Sequence, residues 1–172
     1  PAPQDDGISL LTNLLSPLAA VKARVGVMKG HETHLRMPLG DWERLVTGLP
    51  GLEIADVTGL VQGLRMVKSA AEIKKLAHIC SIGSATFARV PEIMSEGMPL
   101  EDVFRTVRGE ALRQGADDAP YVVGAADQCG YVDVISPPSR RPLQSGDVLM
   151  LDTGLVWDGY FCDFDRNFAV GT

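Results

Sequence analysis

The sequence predicts a mixed α and β fold of the α+β class, and three observations carry that expectation. Two consecutive helix signals, over 69–94 and 99–114, are followed by strand-rich composition from Gly115 onward. Asp158-Gly159 lies between two alternating runs, the dipeptide that a two-residue hairpin turn prefers because both central residues need positive φ. The chain has 172 residues, 45% of them hydrophobic and 22% charged, enough apolar material for a packed core. At about 150 residues per domain the length alone suggests roughly one domain. No fixed-period repeat or low-complexity tract points to a solenoid or a flexible tail.

The elements follow in order. Residues 8–21 are moderately apolar and read as a buried helix or loop. Residues 24–29 have the β-branched character of a short strand, and Pro38, Leu39, Trp42, Leu45, Val46 and Leu49 have helical spacing before Pro50 and Gly51 stop it. A strand over 53–57 and a helical turn through Leu64 come next. Ser69-Ala-Ala-Glu72 is a capping box, so a long helix starts there. Its predicted inner face holds Ile73, Leu76, Ala77, Cys80, Ser84, Phe87 and Met94, with Pro91 kinking the helix or ending it near Val90. A second helix, Pro99 to Gln114, turns Leu100, Val103, Phe104, Val107, Ala111 and Leu112 inward. Strands are then predicted over 121–124, 131–136 and, as a hairpin pair, 148–170.

Charge is uneven. Residues 1–86 carry nine Lys/Arg against eight Asp/Glu, whereas 87–172 carry seven against fourteen, so the net −6 is concentrated late. Without a basic stripe, nucleic acid is not an expected partner. Cys80, Cys129 and Cys162 are odd in number and lack C-x-x-C spacing, which suggests no disulfide framework or cysteine zinc cage and suits a reducing cytoplasm. No run approaches the roughly 18 apolar residues of a membrane span, so a soluble protein without a membrane partner is expected. Asp5 and Asp6 also precede the first apolar stretch where a secretory signal wants positive charge. The chain opens on Pro1 instead of Met, which suggests processing or a fragment.

The hairpin carries the chemistry. Pairing Trp157 with Tyr160 sets Leu155 opposite Cys162, Thr153 opposite Phe164, Leu151 opposite Arg166 and Leu149 opposite Phe168 on one largely apolar face. The other face brings Asp152 opposite Asp165, with Asp163 diagonal to Asp152. Like charges at this spacing repel, and burial without compensation costs several kcal/mol each, so a divalent cation is one reading. A solvated acidic face is the other. Arg166 is a weaker counter-charge, because this register points it to the opposite side. Asp163-x-Asp165-x-Asn167 has the spacing that opens an EF-hand loop, but Phe168 stands where that loop needs Gly and strand alternation contradicts it. His31-Glu32-x-His34 is not the zinc-protease H-E-x-x-H and reads as loop surface, and His78 reads as a partly buried polar helix residue. No nucleophile elbow, P-loop or dinucleotide fingerprint occurs.

Three segments resemble the creatinase and Xaa-Pro peptidase family, which includes aminopeptidase P and prolidase and whose catalytic domain has the pita-bread fold. Leu64-Arg-Met-Val-Lys-Ser-Ala-Ala-Glu-Ile73 is similar to the junction between its amino-terminal and catalytic domains. Gly146 to Gly154 and Gly159 to Arg166 are similar to its first and second metal strands. The resemblance implies the end of a creatinase-type amino-terminal domain over 1–64 and the first half of a pita-bread domain over 65–172. It also implies that Asp152 and Asp163, eleven positions apart, are ligands of a dinuclear centre, with Asp163 bridging and Asp152 chelating one ion. The implied cofactors are two divalent ions, with manganese or cobalt favoured over zinc or iron by the carboxylate ligands.

The implied activity is that of a metal-dependent hydrolase, an Xaa-Pro aminopeptidase or dipeptidase acting on small peptides, in which the ions activate water and polarise the scissile carbonyl. A homodimer is also implied. Family members complete the site with a His and two Glu, expected here beyond Thr172, one Glu serving as general base, and the amino-terminal domain is shorter by about one hundred residues than the family's. Asp165 and Arg166 are candidate supporting residues around the ions. Two departures concern specificity: Ile135 stands where the peptidases place a His, and Asp165 stands where a Thr is common. They leave room for a creatinase-like hydrolase or lyase of a small non-peptide substrate. A third reading is a non-catalytic half domain serving as an interaction module.

Overall fold

A computed structural model describes residues 5–171, so Pro1 and Thr172 lie outside the described residues. The chain divides into two compact units, 1–67 and 68–172. In the first, α1 (Ile8–Ala20) precedes β1 (Arg24–Val27), α2 (Leu39–Gly48), β2 (Glu53–Asp56) and α3 (Thr58–Met66). β1 and β2 pair in parallel from Arg24 opposite Glu53 to Val27 opposite Asp56, a geometry that needs the intervening α2 as a crossover. The expectation of a buried first helix is corrected. Only Ile8 of α1 is buried, whereas Leu10, Leu14 and Leu18 are exposed. Leu11 and Leu15, on its other side, line an apolar cavity of about 230 Å³ with Val25, Trp42, Leu45 and Ile54. His31, Glu32 and His34 are exposed in a loop, with Glu32 at φ 56°.

The second unit begins with α4 (Ala70–Ile93) and α5 (Leu100–Arg113), followed by β3 (Asp118–Gln128), β4 (Asp147–Trp157) and β5 (Tyr160–Ala169). The capping box forms as predicted: the Glu72 N–H donates to Ser69 Oγ at 3.3 Å and the Ser69 N–H to Glu72 Oε2 at 2.6 Å. α4 runs through Pro91 to Ile93: the proline forfeits its own N–H bond, and the Met94 N–H still closes the last turn on the Val90 carbonyl. Its buried stripe is Ile79, Ile82, Gly83, Thr86, Phe87 and Val90. That corrects the predicted face: Ile73, Ala77 and Ser84 are exposed, because the contact surface is set by β5, whose Phe164 and Cys162 lie against Gly83. On α5, Leu112 is exposed, and the inward position beside Ala111 belongs to Glu110, held by Arg113 and Gln114.

The three strands form an antiparallel sheet with β4 in the centre. Asp158 and Gly159 have φ of 48° and 75°, the positive pair the turn signal required, and the hairpin register matches the expected one from Trp157 opposite Tyr160 to Leu149 opposite Phe168. Two other strand expectations change. β3 is longer than 121–124, and 131–136 is not a strand. The chain leaves the sheet at Cys129 (φ 61°) and Gly130 (φ 129°), and Pro137 and Pro138 follow. α4 packs on β5 and α5 on β3, covering one face of the sheet with Phe87, Val103, Phe104, Leu149 and Leu151 at the core. Asp152, Asp163 and Asp165 lie on the other face.

Candidate metal centre

β4 is anchored at its first residue. The Asp147 side chain is fully buried and accepts four bonds: Arg141 Nη1 (2.7 Å) and the Gln144 N–H (2.8 Å) on Oδ2, Arg141 Nη2 and Gln128 Nε2 (both 2.9 Å) on Oδ1. Arg141 above all, then the Gln144 amide and Gln128, outweigh burial and hold its carboxyl down at about 2. This aspartate is saturated with partners, so it fixes the strand and has nothing left to offer a ligand.

Five residues on, the situation reverses. Asp152 pairs with Val123 of β3 and Asp165 of β5, and Asp163 sits opposite Gly154, so the predicted three-carboxylate face is formed. Asp152 Oδ1 is buried and has no hydrogen-bond partner among the described residues. Burial, then the charges of Asp163 and Asp165, push the Asp152 carboxyl above its usual range. Asp152, Asp163, Phe164, Asp165 and Arg166 line an open cleft of about 270 Å³. An orphaned carboxylate oxygen beside two more carboxylates is a hard, anionic donor set that suits a divalent cation. Among the described residues, however, no group of three or more His, Cys, Asp or Glu could hold an ion by itself.

Arg166 pairs with Leu151, on the side opposite Asp152, as the register predicts. Because β5 is the edge strand, its guanidinium folds over the Phe164 ring at 5.3 Å, and Nη1 donates to the Asp165 carbonyl at 2.6 Å. It therefore borders the cleft without pairing with its carboxylates. Ile135 is exposed in the loop between β3 and β4.

Sequence reasoning missed Tyr121. Its pairing with Gly154 lies across β4 from Asp163, and with no side chain on Gly154 in between, the phenol O–H reaches over and donates to Asp163 Oδ1 at 2.7 Å. Phe161 covers the same gap: a Cβ on Gly154 would overlap its ring. Burial first, then the Asp163 bond and the charges of both aspartates, drive the phenol well above its ordinary pKa, so it stays a donor. The only sequence signal was the glycine two residues after Asp152 on the acidic face.

Two helices back a sheet whose other face gathers aspartates, a mixed α+β arrangement shared with pita-bread proteins. The chain belongs to metallopeptidase family M24, whose model matches residues 74–172. It is similar to the uncharacterized peptidase YqhT of Bacillus subtilis, 27% identical over 135 residues, covering 78% of this chain and 38% of that protein. It is also similar to an Xaa-Pro dipeptidase of Pyrococcus horikoshii, 25% identical over 138 residues, covering 79% and 39%. Among solved structures, an X-Pro aminopeptidase from Thermotoga maritima superposes with a TM-score of 0.81 at 20% identity, over 97% of this chain and 45% of that one. The chain thus spans about two fifths of the length of the curated relatives it matches.

Proposed function

We propose that Asp152 and Asp163 are ligands of a dinuclear divalent-metal centre in a hydrolase of Xaa-Pro peptides. The observation that carries this reading is the buried Asp152 Oδ1, left without a hydrogen bond in a cleft with two further carboxylates. A buried acceptor without a donor is costly, and a cation removes that cost. Family membership and the printed names of the Pyrococcus and Thermotoga relatives support the peptidase assignment. Bound divalent ions would supply the Lewis acidity that activates water and polarises a carbonyl. The chain's own part is to hold Asp163 toward the cleft through Tyr121, to keep Asp152 partly buried, and to fix β4 through Asp147 and Arg141. Manganese or cobalt fits the oxygen-rich donors, and the remaining ligands would be a His and two Glu from elsewhere in the protein.

Ile135 and Asp165 favour a second reading, in which the same centre acts on a small non-peptide amide or on a lyase substrate. The test is hydrolysis of Xaa-Pro dipeptides and longer Xaa-Pro peptides by the complete gene product, with elemental analysis of the same preparation. Two divalent ions per chain with cleavage after the first residue supports the peptidase. Bound metal with no cleavage favours the second reading, and absence of stoichiometric metal overturns both.

A further inference from the structure

We propose that Tyr121 is a positioning residue for the metal centre: its phenol fixes the Asp163 carboxylate before any cation arrives. This rests on the reading of Asp163 as a ligand. Asp163 is exposed on an edge strand, where an aspartate side chain would ordinarily sample several rotamers. Here the Tyr121 O–H holds Oδ1 at 2.7 Å from two strands away. The reach depends on Gly154, which separates the two residues and presents no side chain. The Phe161 ring lies over that glycine with its centroid 6.3 Å from that of Tyr121. The phenol is held in place by β3, β4 and β5 together, so the orientation of Asp163 is built into the sheet. A ligand already oriented loses less rotamer entropy on binding an ion, and removing such an outer partner typically weakens metal affinity about 10- to 100-fold.

The test uses the complete gene product, stripped of metal and titrated with Co²⁺ while its visible absorption is followed. Tyr121→Phe keeps the ring and loses the hydroxyl. We expect it to weaken Co²⁺ binding about tenfold or more and to alter the d–d bands, with the far-ultraviolet circular dichroism unchanged. Phe161→Leu, which loosens the ring contact and spares the hydroxyl, retains affinity to within about threefold. Equal affinity and identical bands for wild type and Tyr121→Phe overturn the inference while leaving the metal centre intact. A Tyr121→Phe protein that fails to fold also overturns it, because the hydroxyl would then serve the fold and not the site. A Phe161→Leu loss as large as that of Tyr121→Phe overturns it too, because the ring packing would then be the cause. Wild type that binds no Co²⁺ overturns the metal assignment itself.

Discussion

The two faces of one hairpin differ as sharply as two separate proteins. On the covered face Leu149, Leu151, Thr153 and Leu155 of β4 are essentially inaccessible, and Thr153 Oγ1 donates to the Tyr121 carbonyl at 2.6 Å. On the open face, residues of the same strand carry Asp152, with a buried oxygen that bonds nothing among the described residues. Strand alternation lets β4 hold both at once, since adjacent side chains face opposite sides. The covered face supplies stability, while the other face holds a buried carboxylate oxygen without a partner among the described residues.

That contrast makes neighbouring substitutions on β4 diverge. Leu151→Ala empties a fully buried position and should destabilise by about 2–5 kcal/mol, read as a lower urea midpoint. Equal midpoints for Leu151→Ala and wild type would show that the covered face does not carry the stability of the hairpin. Asp152→Asn, one residue away, should act in the other sense on the metal-free protein, leaving the melting temperature equal or higher because it removes a buried charge repelled by Asp163 and Asp165. The same variant should lose more metal affinity than Tyr121→Phe, which removes only an outer partner. A large drop in metal-free stability would show Asp152 to be structural.

Asp147, in the same strand, is a fully hydrogen-bonded aspartate. Its folded pKa of about 2 lies below the ordinary 3.8. The stability it contributes is therefore complete above about pH 4 and is lost as pH falls through about 2. Its size is on the order of 2 kcal/mol. Acid titration of unfolding free energy should show Asp147→Asn less stable at pH 6 and converging with wild type near pH 2. A constant gap across that range would mean that the Arg141 pair does not set the shift.

Much of this was legible because the signals are local. Asp158-Gly159 determines the turn, the turn determines the register, and a period of two then sorts every side chain of β4 and β5 to its face. The capping box at Ser69 marked the start of α4 for the same reason. What was not legible depends on partners distant in sequence. Tyr121 meets Asp163 across 42 residues through a β3–β4 pairing that no short turn announces. The α4 stripe was misplaced because Ile73 and Ala77 look inward on helical spacing, while the covering strand reaches Ile79 and Gly83 instead. Residues 131–136 have strand-like composition, but the chain turns out of the sheet at Cys129 and Gly130 and this stretch forms no strand.

Anomalous diffraction from crystals of the complete protein soaked in Mn²⁺ would locate any ion held by Asp152 and Asp163. A peak is expected in the acidic cleft within about 2.0–2.6 Å of carboxylate oxygens of both Asp152 and Asp163. A soaked crystal with no peak there, or with the ion held by other residues while Asp152 Oδ1 stays unliganded, would contradict it.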